Sequence, residues 1–275
     1  MTATETESIE IELVLEAIRA KYGYDLRGYG ADSMTRRVRA ALAKSGLVHL
    51  GELQHRLLAD PSFFADLLED LTVHVSEMFR DANFYRAFRE RVVPTLRTYP
   101  ELKIWHAGCA SGEEVYATAI VLAEENLYER SQIYATDLSA AALERAREGV
   151  YSESQARHFA KAYVDSGGKG RFDDYTVAAY DRIAVHERLR RNVVFFQHNL
   201  VSDYALGEMH VVFCRNVLIY FGPNLRERVL GMLRMGLRRG GVLCLGSSES
   251  LPPSVSGAFS AFSPSERIFQ LRGDA

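Results

Sequence analysis

The strongest constraint on this chain is a change of grammar at Pro100. Upstream, apolar residues recur at helical spacing and no strand-like alternation occurs; downstream, short apolar runs alternate with helical stretches. Ile9, Leu13, Ala17 and Ile18 share one helical face until Tyr22-Gly23-Tyr24 breaks the pattern. Asp32 or Ser33 can cap a second helix through Lys44, with Met34, Val38 and Leu42 on one side. A third helix is expected from about Val48 to Ala59. Asp60-Pro61 then sets a capping acid before a proline at the first helical position, with Phe64, Leu67, Leu68 and Leu71 beneath. The stretch Ala82 to Val93, carrying Phe84, Tyr85, Phe88 and Val92, should stop at Pro94.

Beyond Pro100 the pattern predicts a strand at Leu102 to Ala107, a tight turn at Gly108 to Gly112 and a helix from Glu113 to Asn126. A second strand, Ile133 to Thr136, ends at Asp137, and a helix follows from about Ala140 to Glu148. Strands at Val193 to Gln197 and Met209 to Cys214 precede a helix from Asn224 to Leu237. Gly240-Gly241 leads into a strand at Val242 to Leu245, with a last one at Arg267 to Leu271. Such alternation implies an α/β fold with a mostly parallel, doubly wound sheet. Tyr151 to Arg191 interrupts it and reads as an inserted antiparallel ribbon containing a flexible Ser166-Gly167-Gly168-Lys169-Gly170 run.

Composition narrows the functional classes. Lys plus Arg number 33 against 36 for Asp plus Glu, a net charge of -3, which argues against a chain-wide polycation that coats nucleic acid. No apolar run approaches the roughly 20 residues needed to cross a bilayer. Met1 to Glu10 is acidic and Thr-rich, the opposite of a signal peptide's basic start. Cys109, Cys214 and Cys244 are too few and too far apart for a disulfide framework or zinc cluster, which fits reduced thiols in a cytosolic protein. Histidines such as His106 and His198 form no metal set, so no metal is expected.

Ligands of doubly wound sheets sit beyond the carboxyl ends of strands, beside helix N-termini. Ala107-Gly108-Cys109-Ala110-Ser111-Gly112-Glu113-Glu114 occupies such a place, but it lacks the Lys-Ser/Thr ending of a phosphate loop. Its two acids would repel a pyrophosphate and attract a cation or ammonium group; the plainer alternative is a helix with favourable N-terminal acids. Asp137, at the end of the next strand, can take both hydroxyls of a ribose, or cap the helix that follows. Together these features suit a nucleoside with a positively charged amino-acid tail, a description met by S-adenosylmethionine.

Trp105-His106-Ala107-Gly108-Cys109-Ala110-Ser111-Gly112-Glu113-Glu114-Val115-Tyr116 resembles the first motif of the chemotaxis receptor methyltransferases, the CheR family. So do Ala135-Thr136-Asp137-Leu138 with Leu143, Ala146, Gly149 and Tyr151, and Phe213-Cys214-Arg215-Asn216-Val217-Leu218-Ile219-Tyr220-Phe221. Gly246-Ser247-Ser248-Glu249-Ser250-Leu251 is similar to the family's late hairpin. Leu71 to Asp81 resembles the segment joining its helical and catalytic domains. His74 stands where many members have Asn, Val115 where Pro is common, and Ser247 where His is frequent.

The resemblance implies a Rossmann-like S-adenosylmethionine-dependent methyltransferase domain at 101–275, with a small antiparallel β insert at 152–191. It also implies an all-α receptor-facing domain at 1–80 and a linker helix at 81–100. The implied activity is that of a bacterial protein-glutamate O-methyltransferase that esterifies chemoreceptor glutamates and leaves S-adenosylhomocysteine; the cysteines point to the cytoplasm, and a monomer is the default expectation. By motif, His74, Ser76 and Arg80 line the cofactor from the linker side, Ala107 and Gly108 form its turn, and Glu113 or Glu114 faces its methionine end. Asp137 holds the ribose, while Asn199, Leu200, Arg215, Asn216 and Val217 close around the adenine and methyl centre. Tyr220 projects into the transfer site, and a receptor's C-terminal peptide can dock at the insert.

A glutamate is already ionised at neutral pH, so methyl transfer to it needs no general base. Positioning a desolvated carboxylate in line with the methyl group is the main demand. Arg80 is the first candidate for orienting a carboxylate, the alternative being an ion pair with Asp81 or Glu77. Tyr220 can steer the methyl centre or simply pack. Arg36, Arg37 and Arg39 form a basic cluster on the second helix, either a solvated face or, by the resemblance, the surface that meets acidic receptor helices. Competing functions are methylation of a non-chemotaxis signalling protein, and a regulatory protein that binds S-adenosylmethionine without turnover.

Overall fold

The computed structural model describes residues 3–72 and 76–273. They divide into two compact units. One holds everything up to Thr72 together with Asn199–Asp203 and Tyr220–Val229; the other holds the rest.

The first unit is built from α1 (Ala3–Tyr22), α2 (Ala31–Lys44), α3 (Leu50–Ala59) and α4 (Pro61–Leu71). Helix α1 ends where predicted, because Gly23 takes φ +79° and turns its N–H back onto the Arg19 carbonyl at 3.0 Å. Neither Asp32 nor Ser33 caps α2: Gly30 occupies that position with no side-chain cap, and both polar residues lie inside the helix. Helix α3 starts at Leu50 rather than Val48, since Glu52 reaches back to the Val48 and His49 N–H groups at 3.0 and 3.2 Å. Asp60 caps α4 as expected, accepting from Ser62 N–H at 2.9 Å. The Tyr22 and Phe64 rings stack at 3.7 Å in this unit's core.

The second unit opens with α5 (Ala82–Ala87), a π-helical turn Phe88–Val92, and α6 (Val93–Leu96). Pro94 therefore does not end the helix. Val93 donates five residues back to the Phe88 carbonyl, and this widened turn lets Pro94 enter at the start of α6, where a missing N–H is tolerated. Phe84, Tyr85, Phe88, Val92 and Val93 are all buried in the core of this unit.

Then follow β1 (Leu102–Ala107), α7 (Glu113–Glu124), β2 (Ser131–Asp137), α8 (Ala140–Glu148), β3 (Val150–Ser152), α9 (Glu153–Asp165), β4 (Thr176–Ala179), β5 (Arg182–Val185), β6 (Val193–Gln197) and β7 (Met209–Cys214). Helix α10 (Pro223–Gly236), β8 (Leu237–Leu245), α11 (Pro253–Ser256), β9 (Phe259–Ser263) and β10 (Ile268–Leu271) complete the chain. The main sheet has the order β6-β2-β1-β7-β8-β10-β9. Strands β6, β2, β1, β7 and β8 run parallel, while β10 and β9 form an antiparallel edge. The expected mostly parallel sheet is thus present. Strand β8 begins five residues earlier than expected and runs through Gly240, whose φ is +71°. Strand β9 was not expected, because only Phe259 and Ser263 of it are buried.

The insert is the antiparallel sheet β3-β5-β4, as predicted, plus the unforeseen helix α9. The Ser166–Gly170 loop is not loose. Lys169 N–H donates to Glu124 at 2.8 Å, Gly170 N–H donates to the Tyr163 hydroxyl at 2.7 Å, and Lys169 Nζ pairs with Glu125 at 2.7 Å. A Cβ at Gly168 would sit 2.3 Å from the Tyr163 ring, so this glycine serves close packing.

Trp105 is fully buried on β1 and donates its indole N–H to Thr136 Oγ1 on β2 at 2.9 Å. Thr136→Val keeps the shape but orphans that buried donor, and should lower stability by about 1–3 kcal/mol. A denaturant midpoint within a few tenths of a molar of the parent protein's would show that the bond contributes little.

Candidate active site

The strand order reverses beside β1, with β2 on one side and β7 on the other, so the ligand crevice of such a sheet lies at the carboxyl ends of these strands. The turn after β1 is shaped by three left-handed residues, Gly108 (φ +82°), Ala110 (φ +47°) and Gly112 (φ +87°). Gly108 and Cys109 both donate their N–H groups to the Thr136 carbonyl, at 2.8 and 2.9 Å. Ala110 N–H donates to Asp137 Oδ2 at 2.8 Å, and Ser139 N–H to Oδ1 at 3.0 Å. Asp137 therefore ties the glycine turn to the start of α8, and a carboxylate has further lone pairs for hydroxyl donors. A Cβ on Gly108 would come 2.6 Å from Val217 Cγ2, which fixes how closely the turns after β1 and β7 approach.

The two acids that open α7 have opposite environments. Glu113 is sealed, at 2% exposure, and accepts from Ser111 Oγ at 2.9 Å. Burial pushes its carboxyl up to about 7. Glu114 keeps 17% of its side chain exposed, faces His106 Nδ1 at 3.1 Å and accepts from Arg215 Nη1 at 3.0 Å. Burial opposes its charge, but His106 and Arg215 outweigh that and hold it below the usual carboxylate range. His106 lies flat on Phe213, ring centroids 4.3 Å apart.

Arg215, with 1% of its side chain exposed, also donates through Nη2 to Asp81 at 2.8 Å and lies 3.9 Å from the Phe84 ring centre. Asn216 takes φ +61°, and its N–H donates to the buried Glu249 at 3.0 Å. Glu249 also accepts from Gly246 at 2.6 Å and Ile219 at 3.3 Å, which pins the exit of β7. In the sequence Asp81 stands out only as a possible partner of Arg80, and Glu249 only within the late hairpin; their bonds to Arg215 and to the β7 exit have no local signal.

Arg80 is half-buried, and neither expected ion pair forms: Asp81 is bound to Arg215, and Glu77 faces His158 at 3.6 Å. Ser76 is half-buried and Ala107 buried, while His74 lies outside the described residues. Asn199, Leu200 and Tyr220 belong to the helical unit. There Asn199 Oδ1 accepts from Val201 N–H at 2.9 Å, and Arg37 lies over the Tyr220 ring at 4.9 Å. The basic cluster is not a uniform solvated face. Arg37 turns inward and donates to the Leu71 carbonyl at 2.9 Å, Arg39 pairs with Glu7 at 2.6 Å, and Arg36 is exposed. Cys109, Cys214 and Cys244 are buried free thiols, pushed well up by burial. Among the described residues no group of His, Cys, Asp or Glu could hold a metal, and no helix is long and apolar enough to cross a membrane.

Residues 74–268 match the family model described as CheR methyltransferase, SAM binding domain, and residues 9–72 match the CheR methyltransferase all-alpha domain. The chain belongs to the CheR methyltransferase family. A Pseudomonas putida protein named "Putative methyltransferase Cher3" is 45% identical over 271 residues, covering 98% of this chain and 99% of that one. A chemotaxis protein methyltransferase of Listeria monocytogenes is 30% identical over 241 residues, covering 85% and 87%. Chemotaxis protein methyltransferase 1 of Pseudomonas aeruginosa is 33% identical over 231 residues, covering 78% and 80%. This CheR protein is thus an S-adenosylmethionine-dependent methyltransferase. Its residues fit that cofactor: a partly exposed acid stands at the β1/β7 switch point, and a second acid, at the end of β2, anchors the glycine turn.

Glu113 binds its proton more tightly in the folded chain, at about 7, than at its ordinary value of 4.5. The folded state therefore loses stability as pH rises through that window and stays level above it. Glu113→Gln should gain on the parent protein by on the order of 3 kcal/mol across the window. Thermal melts at intervals between pH 4 and 8 test this; parallel curves would mean that Glu113 titrates normally.

Proposed function

We propose that this CheR protein methylates glutamate side chains on the cytoplasmic helices of bacterial chemoreceptors, acting as a cytoplasmic monomer. The observation that carries the reading is an ionised, partly exposed Glu114 held by Arg215 at the β1/β7 switch point, beside the glycine turn that Asp137 anchors, which suits a positively charged methyl donor. A glutamate acceptor, already ionised, asks for no general base. When bound, S-adenosylmethionine supplies a methyl group on a positively charged sulfur. Of the two acids opening α7, Glu114 is assigned to its ammonium group, because Glu114 keeps an exposed edge at the switch point while Glu113 is sealed. Asp137 accepts from the ribose hydroxyls, and Ala107 and Gly108 let the backbone approach. His74, Ser76, Asn199, Leu200, Arg215, Asn216 and Val217 complete the cofactor's surroundings in this reading.

Arg80 orients a carboxylate, that of the cofactor's methionyl end or of the acceptor, and Tyr220 steers the methyl centre. The division into a receptor-facing part at 1–80, a linking helix at 81–100 and a catalytic part at 101–275 goes with this reading. So does capture of a receptor's C-terminal peptide by the insert at 152–191, where β4 is an edge strand with Val177 exposed. Arg36 is exposed and, unlike Arg37 and Arg39, has no hydrogen bond or ion pair among the described residues, so it is the arginine assigned to an acidic receptor surface. Arg36→Glu should weaken receptor methylation without changing cofactor affinity.

The deciding experiment incubates the protein with methyl-labelled S-adenosylmethionine and chemoreceptor-containing membranes. Label on receptor glutamate that is released as methanol by alkali supports the reading; base-stable label would indicate another acceptor and overturn it. Arg80→Ala and Tyr220→Phe should each slow transfer by more than tenfold, roughly the loss of one oriented polar contact in a transition state, while melting temperatures stay near the parent value.

A further inference from the structure

Arg80 lies between two residues in the left-handed backbone region, Phe79 at φ +58° and Asp81 at φ +59°. For a bulky aromatic this is a true outlier, and each such residue costs on the order of 1–3 kcal/mol unless its surroundings hold it. Phe79 is held by packing: it is buried, with the Tyr85 and Tyr163 rings at 5.2 and 5.3 Å. Asp81 is held differently. By position it is the N-cap of α5, yet its side chain makes no capping bond to that helix. The carboxylate goes instead to Arg215 Nη2 at 2.8 Å. Neutralising Arg215 does not explain this bond, because Glu114 already faces the same guanidinium at 3.0 Å.

We infer that Asp81 is a positioning residue: its bond to Arg215 locks the left-handed turn that aims Arg80, and so sets Arg80 in register with Glu114 through one shared guanidinium. The inference rests on the reading that Arg80 lines the cofactor. Arg80 itself forms no hydrogen bond or ion pair among the described residues, so its direction is set by its two neighbours rather than by a partner of its own.

A double-mutant cycle on the full chain tests this, with S-adenosylhomocysteine affinity read by calorimetry. Asp81→Asn keeps the size and tolerates the left-handed turn; Asp81→Gly relieves that turn entirely and stays available if the Asn variant folds poorly. Loss of one charge-assisted bond predicts that either variant weakens binding by about tenfold, with melting temperature near the parent value for Gly. In an Arg80→Ala background the same substitutions should weaken binding by less than about twofold, because a residue acting through Arg80 has nothing left to aim. An undiminished loss in that background would mean that Asp81 acts on its own, and would overturn the inference. Full affinity in Asp81→Gly beside a clear loss in Arg80→Ala would overturn the positioning role alone. Full affinity in Arg80→Ala itself would instead remove Arg80 from the cofactor's surroundings, and the inference with it.

Discussion

A guanidinium shut away from water joins three segments that are far apart in the chain. Arg215 leaves the end of β7, meets Glu114 at the start of α7 and Asp81 before α5, and rests on the face of Phe84. A buried cation is tolerable only when opposite charges and hydrogen bonds surround it, and here two carboxylates share that role. Burial alone would lower the pKa of Arg215; Glu114, Tyr85 and Asp81 outweigh that and raise it. The cation therefore stays charged and ties the end of β7 to the starts of α7 and α5. On the opposite flank, Glu249 gathers the N–H groups of Gly246, Asn216 and Ile219, so the β7 exit is held from both sides.

Two adjacent acids on one helix illustrate how environment divides labour. Glu113 and Glu114 are chemically alike, but one is walled off with a serine hydroxyl and the other lies between an imidazole and a guanidinium. The first is pushed toward neutrality and the second held ionised. A methyltransferase handling a positively charged donor has use for the second kind. The glycine turn beside them works through closeness: with Val217 pressed against Gly108, no side chain fits there.

Much of this was readable from residue order. The parallel strands announced themselves as short apolar runs, and Asp60-Pro61 marked its helix without help from tertiary contacts. Helix α9 was hidden because only Phe159 and Tyr163 of its residues are buried, too few for a clear period. Pro94 misled because a π-turn is a tertiary accommodation, invisible to local propensity. The glycine run at 166–170 resembled slack and proved to be packing against Tyr163. At the site, Asp137 and the glycine turn were evident from position in a β/α unit. The partners of Arg215 were not, since 101 residues separate it from Glu114 and 134 from Asp81, and no spacing rule links them. The arginine cluster of α2 looked uniform in one dimension; the fold points its members three ways.

The three thiols described above have a practical consequence for spectroscopy. A sulfhydryl that is both enclosed and poorly acidic presents almost no thiolate to an alkylating dye at neutral pH. The natural cysteines can therefore stay in place, and one introduced at the fully exposed Tyr180 tip between β4 and β5 would take a fluorophore or spin label selectively.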